Sequence, residues 1–176
     1  MTHYTKMSAY AGIIHAHACS MCLESSPDKF DGQDFMAMCV EVFSWNEQIP
    51  GIYDVSFLDD TEDDLSKPFN QLWREYSYGK LLDVSLLREL FGNGSCYLFH
   101  SLPFTYAFFL EAIADPIPGL MRLINAGGDT DTNASMLGNL LGALHGIELF
   151  ELPENRWMLE GLKGYGDLRR ETEAFC

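Results

Sequence analysis

Three glycines spaced four apart place the strongest constraint on how this chain can fold. Gly138, Gly142 and Gly146 lie in 134–150, ASMLGNLLGALHGIELF, interleaved with Leu137, Leu140, Leu141, Leu144 and Ile147. The leucines keep helical spacing and form a broad apolar side, while the glycines form a smooth groove. A glycine inside a helix costs on the order of 1 kcal/mol. Three of them call for close approach by another helix, so the spacing predicts a central helix buried on most sides. Immediately before it runs Asn125-Ala126-Gly127-Gly128-Asp129-Thr130-Asp131-Thr132-Asn133. Its two glycines let the backbone turn tightly and come close to a neighbour. Asp129 and Asp131 offer hard oxygens of the kind that suit Mg²⁺, Mn²⁺ or Ca²⁺ rather than zinc. Thr132 adds a hydroxyl to that set, or caps the following helix. The plainer alternative is a helix start whose acids answer the helix dipole.

The rest of the chain carries the same period. Met7, Tyr10, Ala11, Ile14, Ala18 and Met21 predict a helix to about Glu24, broken by Ser25-Ser26-Pro27. Asp31 is placed to cap a second helix, with Phe35, Met38, Cys39, Val42 and Phe43 inward, ended by Ile49-Pro50-Gly51. Ser66 and Pro68 open a third around Phe69, Leu72, Trp73 and Tyr76. Asp83 caps a short one around Val84, Leu87, Leu90 and Phe91, closed at Gly92. Ser101 and Pro103 are read as the start of an aromatic helix, Phe104–Ala114, and Asp115-Pro116-Ile117-Pro118 as a break before a helix from about Pro118 to Asn125. Beyond Leu152-Pro153, Trp157 and Leu162 are expected to pack a short helix back on the bundle, ahead of a charged helical tail from Asp167. Strand-like alternation, repeats and low-complexity linkers are lacking. The class expected is all-α, a single orthogonal helical bundle spanning 1–176.

At 176 residues and 47% apolar content, the chain is long enough to bury one core. A net charge of −15 argues against nucleic-acid or acidic-membrane partners. No apolar run reaches the roughly 18 residues of a membrane span, and no export signal opens the chain. Five cysteines at irregular spacing fit reduced thiols, so a cytoplasmic location is expected. Cys19 and Cys22 form a C-x-x-C; two helical core cysteines account for it more simply than zinc or redox chemistry. His15 and His17 point to different sides of one helix and make a poor metal pair. The acidic run Asp59-Asp60-Thr61-Glu62-Asp63-Asp64 is either a further metal cluster or an acidic helix start. Gly92-Asn93-Gly94-Ser95 either cradles a phosphate or stops a helix.

The run Ala126-Gly127-Gly128-Asp129-Thr130-Asp131-Thr132, the small-residue helix behind it and Pro153-Glu154-Asn155-Arg156-Trp157 resemble the C-terminal signature of the ADP-ribosylglycohydrolase family. That family includes the dinitrogenase-reductase-activating glycohydrolases and the ADP-ribosyl-acceptor hydrolases. Ser8 to His15 resembles the family's segment in which a histidine lies near ADP-ribose, with Ile14 where threonine usually stands. Gly92 to Leu110 resembles the segment in which a Gly-x-Gly turn precedes "Ser-Val-Pro" and an apolar helix. The resemblance runs from about Ser8 to Trp157. It covers the later part of the family, whose members begin with Gly-Asp and Thr-Asp-Asp-Thr segments.

The resemblance implies two Mg²⁺ (or Mn²⁺) ions beside the glycosidic bond of an ADP-ribosylated substrate, and hydrolysis by an activated water. It places Asp129, Asp131 and Thr132 at the metal, and His15, Gly127 and Gly128 at the substrate. The catalytic acid or base is not assigned. Two ions ask for about twelve ligand positions, so this chain alone is expected to bind metal weakly and hydrolyse little. An N-terminal-half partner chain or self-association would complete it. The alternatives are a non-catalytic ADP-ribose- or metal-binding helical module, and an inactive remnant. The acceptor (arginine, serine or a small molecule) is not readable.

Overall fold

In the computed structural model, one helix has its middle enclosed on all sides, and it is not the glycine-spaced one. The structure describes residues 5–45, 55–56, 58–59, 63–77 and 83–175. Among them are ten α-helices and two 3-10 turns but no strand; a lone bridge joins Thr5 to Asp59. The helices are α1 (Lys6–Leu23), α2 (Gly32–Glu41), α3 (Ser66–Ser77), α4 (Val84–Leu90), α5 (Leu98–Ala112), α6 (Pro116–Ala126), α7 (Thr130–His145), α8 (Glu148–Glu151), α9 (Trp157–Glu160) and α10 (Tyr165–Phe175). The fold is all-α. By contact it divides into two compact units, Met1–Leu144 and His145–Cys176. None of the helices is long and apolar enough to cross a membrane, among the described residues.

In the first unit α5 is buried without a break from Ser101 to Leu110, the mark of a helix surrounded by others. It packs against α1, α3, α4 and α6. Its rings meet those of α2 and α3. Phe35 lies 5.0 Å from Phe109 and 5.3 Å from Tyr106, and Phe69 lies 5.6 Å from Tyr106, centroid to centroid. Each such ring contributes about 1.5–3 kcal/mol through burial. Short polar side chains start the surrounding helices. The Thr5 hydroxyl accepts from the Ser8 amide, and the Asp31 carboxylate from the amides of Gln33 and Asp34. The Asp83 carboxylate likewise accepts from the Ser85 amide, and that of Asp64 from the amide and hydroxyl of Ser66.

In the first unit and at the end of α7, four expectations need correction. The aromatic helix begins at Leu98, a turn before Ser101, and Pro103 lies inside it. The amides of His100 and Ser101 already donate to the Tyr97 carbonyl, so the first turn is formed before the proline is reached. Pro116 and Pro118 open α6 rather than delay it, because a proline in the first turn removes an amide that would have no helical partner. The helix read as 134–150 stops at His145. Gly146 has φ 76°, a left-handed residue that ends a helix rather than notching one. Finally, α7 has the two faces expected but is not buried on most sides. Leu137, Leu140, Leu141 and Leu144 are buried, but a Cβ placed on Gly138 or Gly142 would meet nothing within 4 Å. The groove expected to receive another helix is open among the described residues. The close helix approach occurs at Gly119 of α6, where a Cβ would lie 2.3 Å from that of Ala112.

In the second unit, 145–176, Asn155 is the one buried residue among the described residues, and its side-chain amide donates to the Leu149 carbonyl at 2.8 Å. Trp157 and Leu162, expected to pack inward, are 60% and 52% exposed. Trp157 opens the one-turn helix α9, and Leu162 lies beyond its cap Gly161. Arg169 bridges Glu151 and Glu173 on the surface. The Ile49-Pro50-Gly51 break lies outside the described residues.

The open groove yields a signed expectation. Gly138→Ala should raise stability by about 0.5–1 kcal/mol, because it removes the helix cost of glycine without meeting a neighbour. Urea unfolding of the two proteins measures it; a loss of stability would mean that the groove is filled.

Candidate metal centre

The diacid loop is built by two glycine turns pressed together. Helix α6 ends at Ala126, whose carbonyl accepts from Nε and Nη2 of Arg88 on α4. Gly127 follows at φ 82°, ψ −154°, a region open in practice only to glycine. Gly128 has φ 81°, and a Cβ there would sit 2.1 Å from the Asn93 carbonyl oxygen and 2.6 Å from that of Gly94. The opposing turn, Gly92–Gly94, is left-handed throughout, with φ 54°, 60° and 63°; Asn93 tolerates this better than most residues that carry a side chain.

Where the turns meet, the Asp129 amide donates to the Gly94 carbonyl at 2.9 Å. The side-chain amide of Asn133 donates to the same oxygen at 2.8 Å, and the Thr105 hydroxyl donates to Asn133 Oδ1 at 3.4 Å. Asp129 occupies the cap position of α7, its carbonyl accepting from the Asn133 amide. Asp131 and Thr132 fall in the first turn and face solvent. Thr132 is therefore inside the helix and is not its cap.

The two carboxyl groups converge. Asp131 is held below the usual carboxylate value, first by a hydrogen bond with the Asp129 carboxyl and then by the amides of Thr132 and of Asp131 itself. Two carboxylates this close repel when both are ionised, and a cation between them removes the repulsion. Their oxygens are hard donors at the positive end of a helix dipole. The donor chemistry fits a hard divalent cation, though the donor number fits only one side of its shell. Among the described residues no group of three or more His, Cys, Asp and Glu side chains is placed to hold a metal.

The remaining candidates have partners of their own. His15 Nδ1 lies 3.1 Å from the hydroxyl of Tyr106, at the aromatic core, and burial lowers its pKa. Tyr106 is held protonated by burial and by the neighbouring Cys39, Cys19 and Cys22 thiols, so its hydroxyl has a proton to donate. Cys19 donates to Asn139 Oδ1 of α7, and Cys22 is fully buried with its pKa pushed up to about 12. Thiols so placed are poor nucleophiles. In the acidic run, Asp64 caps α3, and Asp63 accepts from the Tyr97 hydroxyl at 2.7 Å. Asp60, Thr61 and Glu62 lie outside the described residues.

The family model of the ADP-ribosylglycohydrolases matches residues 1–176, the whole chain. This chain belongs to the ADP-ribosylglycohydrolase family. No curated protein and no solved structure matches it. In this member of the family the sequence pattern pointed to Asp129, Asp131 and the glycines, Gly94 among them, but not to Arg88, Thr105 or Asn133. The one available signal was Asn133, an amide heading a stripe of leucines.

Two measurements follow. Gly128→Ala should cost about 1–3 kcal/mol or more, because the φ is unfavourable and the opposing atoms are backbone; chemical denaturation reads it. Neutral His15 should make stability depend on pH. Its contribution is fully present above the ordinary value of 6.5 and is lost as pH falls from there toward the lowered value of the folded state. Thermal melts across that window should fall for the parent and flatten for His15→Gln.

Proposed function

We propose that this chain supplies one face of a divalent-cation site in a hydrolase that cleaves the glycosidic bond of ADP-ribosylated substrates. The observation that carries the reading is the place of Asp129 and Asp131 at the solvent-reached start of α7, directly behind a Gly-Gly backbone that only glycines can form. Membership of the ADP-ribosylglycohydrolase family supports the reaction class. Asp129, Asp131 and Thr132 would hold Mg²⁺ or Mn²⁺. When bound, such a cation supplies fixed positive charge that orients sugar hydroxyls and water around the anomeric carbon.

The chain's own part is to keep the donors in place. Asp131 stays ionised through the neutral range because hydrogen bonds favour its charged form. Where a Cβ would stand, Gly127 faces Arg88 and Gly128 faces the Asn93 and Gly94 carbonyls, so a ribose would meet these glycines on their other side. Glycoside cleavage passes through an oxocarbenium-like transition state, and negative groups near the ring favour it. In this reading His15 contributes from the edge of the core, at the substrate rather than at the metal. Two ions would need further carboxylates, of the kind the family's Gly-Asp and Thr-Asp-Asp-Thr segments carry, from a partner segment or chain. A second reading is favoured by the small donor set: the chain binds metal or ADP-ribose without turnover.

Calorimetric titration with MgCl₂ or MnCl₂, paired with an ADP-ribosyl hydrolysis assay, tests the proposal. The parent should bind in the weak, roughly millimolar range typical of sites with few carboxylates. Asp129→Ala and Asp131→Ala should each abolish the binding heat. Unchanged binding in both variants would sink the site. Binding without hydrolysis, even when segments bearing the missing acids are added, would select the second reading.

A further inference from the structure

The leucine stripe of α7 opens on a residue that packing alone does not favour. Leu137, Leu140, Leu141 and Leu144 are buried on one face, and Asn133 continues that face into the first turn, where it is fully buried. Leucine there would avoid burying a primary amide, which is costly unless its donors and acceptor are matched. The amide is matched at both ends. Its nitrogen donates to the Gly94 carbonyl and its oxygen accepts from Thr105, a residue of the fully enclosed helix α5.

The Gly94 oxygen is the joint of the arrangement. A carbonyl has two lone pairs, and this one takes both the Asn133 side chain and the Asp129 amide. Gly94 is itself pressed on α5, since a Cβ there would lie 2.5 Å from Phe104 and 3.0 Å from Asn133 Nδ2. A continuous path therefore runs from the core through Thr105, Asn133 and the Gly94 carbonyl to the backbone of Asp129.

We infer that Asn133 is a positioning residue, holding the Gly94 carbonyl where it fixes the backbone of Asp129 and so the aim of the carboxylate pair. Its catalytic meaning rests on the reading of Asp129 and Asp131 as cation ligands; its structural meaning does not. Asn133→Leu removes the donor and keeps the branching at Cγ, with a somewhat larger side chain. Thr105→Val keeps Asn133 but frees its amide to turn, and serves if the first variant does not fold. Amide hydrogen exchange, resolved residue by residue by NMR, is the primary readout, with thermal midpoint and Mn²⁺ affinity beside it.

Asn133→Leu should speed exchange of the Asp129 amide by about tenfold, the factor corresponding to one hydrogen bond of ordinary net strength. The amides of α5 should keep their rates, and the thermal midpoint should fall by no more than the loss of the buried Thr105–Asn133 bond accounts for. Thr105→Val should speed the same amide less. Where the parent binds Mn²⁺, Asn133→Leu should weaken it several-fold. Parent-like exchange at Asp129 in every variant that folds overturns the inference. So does an equal rise at every amide, which would make Asn133 ordinary core. A parent that binds no Mn²⁺ removes the cation reading, while the exchange result still decides whether Asn133 positions Asp129.

Discussion

Everything near the carboxylates depends on a single oxygen, the Gly94 carbonyl, lodged between two turns that side chains would force apart. The distance from Gly128 to that oxygen and to the Asn93 oxygen leaves no room for a Cβ. The turns touch through backbone, so their spacing is set by covalent geometry and hydrogen bonds rather than by flexible side chains. Arg88 adds a second restraint from α4 by holding the last carbonyl of α6. The loop is therefore tied at its entry by a guanidinium and at its exit by an amide, and the carboxylates lie just beyond the second tie.

This division explains the electrostatics. The acids on the loop are at the surface, where water can reach them, while Gly94, Asn133 and Thr105, which hold its exit, are neutral and buried. Asp131 keeps its charge through hydrogen bonds rather than by pairing with a cationic side chain. A lysine or arginine in that place would occupy the position a cation needs. The proposed cation site requires that freedom, since donors already neutralised by protein have little left to offer a metal.

Some of this was legible from residues alone, for local reasons. Asp31 and Asp83 cap helices through their own neighbours, so their roles follow from position. Gly-Gly before Asp-x-Asp marked the loop because only that backbone requires paired glycines. Other features depend on distant atoms and left little trace. Gly146 and Gly138 look alike in a four-residue spacing, but one ends the helix and the other merely leaves space. Pro103 reads as a helix start because most prolines in helices are, and only the turn formed from Leu98 reverses it. Arg88 reads as an ordinary surface charge, and Trp157 reads as core because it is large, although it stands in solvent.

The cysteines are sorted by depth in a way that has a practical side. Cys22 and Cys39 are fully enclosed and burial disfavours their thiolates, while Cys96 stands exposed two residues past Gly94. Among the described thiols, an alkylating dye in limiting amount would therefore settle beside the hinge oxygen, where its emission could follow the loop as ligands come and go.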